Sequence, residues 1–185
     1  MPSWPPLTEQ LILIGMMGTG KSTVGRLVAA ALGWSFVDSD GQVEARTGRT
    51  VRQIFETDGE TAYRRLESAA LADALAADEP AVVAAAGGVV LDETNRGLLA
   101  AEELVVWLHA APEVLAERVG GGDHRPLLAD DPLGTLRRLA AERESLYREV
   151  ADVEIDVATL TPSAVAERIV ALVHARGSSS STARP

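Results

Sequence analysis

Cysteine is absent from this 185-residue chain. That excludes a disulfide framework, a thiolate nucleophile and any cysteine-ligated metal. Basic residues are in deficit: 17 Lys and Arg stand against 27 Asp and Glu, a net charge of −10. A chain this acidic argues against non-specific binding to nucleic acid or to an anionic membrane. It leaves room for small anionic substrates, because a few arginines can make a positive cleft on an acidic surface. Aromatic residues are scarce at 4%. No apolar run approaches the length of a membrane-spanning helix, and the N-terminus lacks a basic stretch followed by an apolar one. The expectation is a soluble cytoplasmic protein, a single α/β domain long enough to bury one substantial core.

What the chain does have is Gly15-Met16-Met17-Gly18-Thr19-Gly20-Lys21-Ser22. This G-x-x-x-x-G-K-S pattern follows the apolar run Leu11-Ile12-Leu13-Ile14 and precedes a helical pattern, so its context is strand, loop, helix, as a P-loop requires. The glycines let backbone N–H groups curl into a phosphate nest, and the helix N-terminus adds positive potential. Lys21 is placed to reach the terminal phosphates and Ser22 to ligate magnesium. A nucleoside triphosphate is therefore the expected ligand, with Gly18, Thr19, Gly20, Lys21, Ser22 and Thr23 around it.

The rest of the chain reads as alternating strands and helices. Strands are expected at 9–14, 34–37, 81–85, 103–109 and 153–157. Helices are expected at 21–32, 41–47, 51–57, 60–77, 93–101, 112–119, 132–150 and 162–175. Residues 1–8, with three prolines, read as a disordered leader, and 177–185 as a disordered tail. The glycine-rich segment Gly120-Gly121-Gly122-Asp123-His124-Arg125-Pro126 reads as a mobile segment. The order implies a parallel sheet with helices on both faces.

Ligands of such sheets sit beyond the carboxyl ends of the strands. The second strand ends in Asp38-Ser39-Asp40. In a kinase, one carboxylate holds magnesium through water and the other faces the acceptor hydroxyl. An acidic helix cap, with Ser39 or Asp40 at the N-cap, is the plainer alternative. The third strand ends in Ala86-Gly87-Gly88, which offers backbone N–H groups and close approach to a ligand, or is an ordinary glycine turn. Arg125 lies where closure of its segment would carry a guanidinium onto the phosphates. By periodicity alone Arg64 and Arg143 are surface residues.

Beyond the P-loop, Phe36-Val37-Asp38-Ser39-Asp40, Val43-Glu44-Ala45-Arg46-Thr47-Gly48, Ile54-Phe55-Glu56-Thr57-Asp58-Gly59-Glu60 and Tyr63-Arg64-Arg65-Leu66-Glu67 follow in order. Arg125-Pro126-Leu127-Leu128 and Arg143-Glu144-Ser145-Leu146-Tyr147 come later. Together these stretches, spanning about residues 9 to 175, resemble the shikimate kinases. The resemblance implies a P-loop, nucleoside-kinase-like three-layer fold: a five-stranded parallel sheet in the order 2-3-1-4-5 with helices on both faces. One domain over 9–176 is expected, with a lid at about 119–131. It also implies ATP-dependent phosphorylation of the 3-hydroxyl of shikimate, with Mg2+, on the route to chorismate and the aromatic amino acids, by a monomer that needs neither nucleic acid nor membrane.

By the same carry-over Lys21 contacts the phosphates, and Ser22 and Asp38 serve the metal. Asp40 binds the shikimate hydroxyls as the candidate base. Arg64 and Arg143 grip the carboxylate, for which paired guanidinium groups are well suited, and Gly87 and Gly88 contact the substrate. Arg125 closes over ATP, and Arg118 and Pro162 line the adenine pocket. Two positions depart from the family's usual pattern. Ala86 stands where a glycine is usual, which would strain the backbone only if φ were positive there. Tyr63 replaces a phenylalanine and brings a hydroxyl in need of a partner. Other readings of the same residues are a kinase for another small hydroxy acid, such as gluconate, and a non-catalytic nucleotide-binding regulator.

Overall fold

The computed structural model describes residues 10–119 and 131–182. The leader, the lid segment between 119 and 131 and its Arg125 lie outside the described residues.

Five strands form one parallel sheet: β1 (Gln10–Ile14), β2 (Ser35–Asp38), β3 (Ala81–Ala84), β4 (Leu104–His109) and β5 (Val153–Asp156), in the order β2-β3-β1-β4-β5. The helices are α1 (Lys21–Leu32), α2 (Ser39–Thr47), α3 (Val51–Leu75), α4 (Glu93–Ala100), α5 (Pro112–Val119), α6 (Pro132–Val150) and α7 (Pro162–Thr182). Among the described residues no helix is long and apolar enough to cross a membrane.

The period-2 geometry of a strand sends alternate side chains to opposite faces. Ile12, Ile14, Val83, Val105 and Trp107 point to one face, where Leu71 of α3, Leu99 of α4, Leu115 of α5 and Leu136 of α6 cover them. Leu11, Leu13, Val82, Val106 and Leu108 point to the other, against Val24 and Val28 of α1 and Val165 and Ile169 of α7. Each such side chain stabilises the fold by about 1.5–3 kcal/mol relative to an exposed one. The central strands are thus pinned on both sides, and their carboxyl ends are fixed relative to one another.

Several boundaries differ from the sequence expectation. No loop separates β2 from α2, because Asp38 itself is the N-cap: its carboxylate accepts from the Gly41 N–H, so neither Ser39 nor Asp40 plays that part. The helices expected at 51–57 and 60–77 run on as α3, but the expected break between them is present as a kink at Gly59 (φ 82°, ψ 171°), where the positive φ needs glycine. A 3₁₀ turn, Val89–Leu91, follows the third strand end. The final helix continues to Thr182, past the expected end at Ala175 and through most of the segment expected to be a disordered tail. Serine weakens a helix by only a fraction of a kcal/mol, and the proline that would block it comes at Pro185.

Candidate active site

A cavity of about 660 Å³ opens beyond the carboxyl ends of β1, β2 and β3. Its donor end is the loop between β1 and α1. Gly15, Gly18 and Gly20 all have positive φ there, and a Cβ on Gly15 would lie 2.2 Å from the Leu108 carbonyl oxygen. Only glycine allows the loop to pass so close to β4. The Lys21 ammonium donates to the carbonyls of Gly15 and Met16, at 2.7 and 3.0 Å, so it folds back over the nest that it would serve. Thr19 is buried and its hydroxyl donates to the Met16 carbonyl. Its side chain braces the loop, which leaves its backbone as the part a phosphate would meet.

The two sequence-predicted metal residues come together. Ser22 Oγ donates to Asp38 Oδ2 at 2.6 Å, linking the first turn of α1 to the end of β2. Among the described residues no group of three or more His, Asp or Glu forms a metal cage. A pair of hard oxygen donors beside a phosphate nest fits Mg2+, which takes one or two protein oxygens and completes its shell with phosphates and water.

Asp40, in the first turn of α2, lines the same cavity. Burial holds its carboxyl above the ordinary carboxylate range; the hydrogen bond from Tyr63 and the charge of Lys21 pull the other way, and Asp38 adds to the rise. The Tyr63 hydroxyl donates to Asp40 Oδ1 at 2.5 Å. The extra hydroxyl noted in the sequence has therefore found a partner.

Arg64 and Arg143 are not the surface residues that periodicity indicates. Arg64 is ion-paired through Nη1 to Glu67 (2.6 Å) and through Nη2 to Glu60 (2.9 Å). Glu67 is buried, and burial raises its carboxyl above its ordinary value despite the guanidinium beside it. Arg143 is only 4% exposed. Its Nη1 donates to the Gly87 carbonyl at 3.1 Å, and Tyr147, one turn on, donates to the same oxygen at 2.6 Å. Tyr147 stacks on Trp107 and is buried enough for its hydroxyl pKa to be pushed up to about 12. Both guanidinium groups thus converge on adjacent glycines, Gly87 and Gly88. A Cβ on Gly88 would lie 1.7 Å from Arg64 Nη1, so the glycine is required for space rather than for its φ of −92°.

Ala86 is free of the strain that a positive φ would impose, since every residue with positive φ is a glycine among the described residues. Arg118 lines the cavity and donates to the carbonyls of Val157 and Ala158. Pro162 opens α7 and is not among the residues that line the cavity. Glu67 and Tyr147 escaped the sequence reading as site residues. Each acts on another side chain or on a backbone carbonyl, and the resemblance that covers both stretches was the available signal.

A family model described as shikimate kinase matches residues 17–174. The chain belongs to the shikimate kinase family. Shikimate kinase from Halorhodospira halophila is 45% identical over 163 residues, 88% of this chain and 92% of that one. The enzyme from Symbiobacterium thermophilum is 49% identical over 148 residues, 78% of this chain and 84% of that one. Among solved structures, shikimate kinase from Acinetobacter baumannii in complex with shikimate superimposes with a TM-score of 0.88. It has 35% identity and covers 92% of this chain and 95% of that one. As a member of the shikimate kinase family the protein is a P-loop transferase that uses ATP as co-substrate together with Mg2+. Neither the gluconate kinase reading nor the non-catalytic regulator is favoured.

Proposed function

We propose that the cavity performs the family's reaction, ATP-dependent phosphorylation of the shikimate 3-hydroxyl to give shikimate 3-phosphate and ADP, with donor and acceptor held at opposite ends. The observation that carries this reading is one continuous cavity lined by Lys21 and Ser22, by Asp38 and Asp40, and by Arg64 and Arg143.

At the donor end the nest of Gly18, Thr19 and Gly20, with Thr23 beyond it, receives the triphosphate. Lys21 exchanges its two carbonyl partners for phosphate oxygens. Ser22 and Asp38 hold the metal. When bound, Mg2+ supplies neutralisation of the charge carried by the phosphate oxygens. Arg118 borders the nucleotide end, with Pro162 assigned nearby on the resemblance alone. Arg125 is assigned to closure over ATP on its match to the family motif.

At the acceptor end Arg64 and Arg143 bind the carboxylate of shikimate, a charge-assisted contact suited to planar guanidinium groups. Gly87 and Gly88 allow the ring to approach. Asp40 takes or orients the proton of the 3-hydroxyl, and burial makes its carboxylate a stronger base than an exposed one. Catalysis is then largely positioning and electrostatic stabilisation. The protein acts as a cytoplasmic monomer without nucleic acid or membrane. The net charge of −10 supports this, as does the fact that Leu27 and Leu98 are the large apolar side chains left exposed among the described residues.

Replacing Arg143 with alanine tests the division. Loss of a charge-assisted contact corresponds to a rise of about tenfold or more in the KM for shikimate, with the KM for ATP within about twofold of the parent. Equal effects on both substrates would reject the assignment.

A further inference from the structure

Asp40 has to present one oxygen to an acceptor hydroxyl, and the backbone does little to aim it. The cap of α2 is provided by Asp38, whose side chain takes the Gly41 N–H. Among the described residues the one hydrogen bond that reaches the Asp40 carboxylate is the 2.5 Å contact from Tyr63. Lys21 attracts the carboxylate and Asp38 and Glu44 repel it, but none of these charges fixes its rotation.

Tyr63 is itself held on every side. It is 4% exposed and packs with Val43, Ile54 and Ala70. Its ring lies 4.7 Å from that of Phe55, tilted by 39°, and the Arg64 guanidinium sits 5.5 Å from the ring centroid. The bend at Gly59 gives the second half of α3 its own direction, with Tyr63 on its first turn. The hydroxyl has one proton to give. The Glu67 carboxylate, which takes Arg64 at 2.6 Å, also feels the Tyr63 hydroxyl, but the 2.5 Å contact directs the proton to Asp40. A buried aromatic ring is a rigid mount, with two torsions fixed by packing.

We propose that Tyr63 is a positioning residue for phosphoryl transfer: its hydroxyl holds Asp40 by Oδ1, so that Oδ2 is the oxygen turned to the acceptor hydroxyl. The proposal rests on the assignment of Asp40 to the acceptor. No bond to Tyr63 forms or breaks in the reaction. The tyrosine removes one freedom, rotation of the carboxylate about its last torsion, and a positioned base is worth more than a rotating one.

Tyr63→Phe deletes the hydroxyl and keeps the ring. The expected result is a kcat about tenfold lower, the KM for ATP unchanged and a melting temperature close to that of the parent. The same substitution is then made in an Asp40→Ala background and followed by single-turnover ADP formation with saturating shikimate. With no carboxylate to hold, the hydroxyl has nothing to contribute there, so the residual rate stays within about twofold of Asp40→Ala alone. A Tyr63→Phe enzyme with kcat within twofold of the parent overturns the proposal. So does an equal loss in both backgrounds, because the hydroxyl would then act independently of Asp40. Full turnover by Asp40→Ala alone overturns the assignment of Asp40 and the proposal with it. That result is distinct from a failure of Tyr63, where Asp40→Ala is slow and Tyr63→Phe is not.

Discussion

The guanidinium of Arg64 occupies the space that a side chain on Gly88 would need: a Cβ there would lie 1.7 Å from Nη1 and 2.4 Å from Cζ. Arg64 belongs to α3 and Gly88 to the turn after β3, so the contact joins that helix to the sheet end. The clash is with the far end of a flexible side chain, not with backbone. Gly88→Ala therefore displaces Arg64 at little cost to the fold. Steady-state kinetics should show the KM for shikimate raised about tenfold or more, the KM for ATP unchanged and a melting temperature within a few degrees of the parent. An unchanged KM for shikimate would remove Arg64 from the acceptor site.

Gly15 is the opposite case. Its φ is +136° and the atom that a Cβ would strike, 2.2 Å away, is the backbone oxygen of Leu108 in a central strand. The strand cannot yield, since Leu108 is fully buried. Gly15→Ala is expected to destabilise the protein by about 3 kcal/mol or more. Urea unfolding measures this directly, and a loss below 1 kcal/mol would show that the loop can pass β4 at a greater distance.

Ser22 and Asp38 share a 2.6 Å hydrogen bond at the place assigned to the metal. Ser22→Ala and Asp38→Asn should each shift the Mg2+ concentration for half-maximal activity upward by about tenfold and leave the KM for shikimate near the parent value. Titration of activity with MgCl2 at saturating substrates is the check. A parallel loss of shikimate affinity would mean that the pair organises the acceptor site instead.

Much of this site was legible in the sequence because its chemistry is local. The P-loop announces itself in eight consecutive residues, and Asp38 and Asp40 stand where β2 must end. The arginines were not legible by pattern. Arg143 looks like one more charge on an amphipathic helix, yet it is buried because the Gly87 carbonyl, 56 residues away in sequence, supplies its partner. Glu67 shares the difficulty: an acidic residue on a helix reads as solvated until Arg64 and the cavity wall close around it. The break at Gly59 was legible as a turn between two helices, whereas the extension of α7 to Thr182 concerns a helix end, which propensities of a few tenths of a kcal/mol leave open.

Glu67 gives a pH prediction with a definite sign. Burial raises its carboxyl above the ordinary 4.5 and outweighs the Arg64 guanidinium. The folded protein therefore binds this proton more tightly than the unfolded chain does. From the unfolded value up to the raised folded value the folded state carries more protons, so the contribution of Glu67 to stability falls as pH rises through that window. Glu67→Gln removes the ionisation. The stability of the parent relative to this variant should be greatest near about pH 4 and decline toward pH 7, as read from urea midpoints. A difference that grows with pH would show that Arg64 outweighs burial.

The central claim is that one cavity joins the P-loop to an acceptor end built from Asp40, Arg64 and Arg143 for shikimate. The most direct measurement is ADP release by the purified protein with ATP and Mg2+, compared across shikimate, gluconate and no acceptor. The account predicts ADP release that depends on shikimate, with gluconate no better than the blank. Release at the same rate with and without shikimate, or a preference for gluconate, would contradict it.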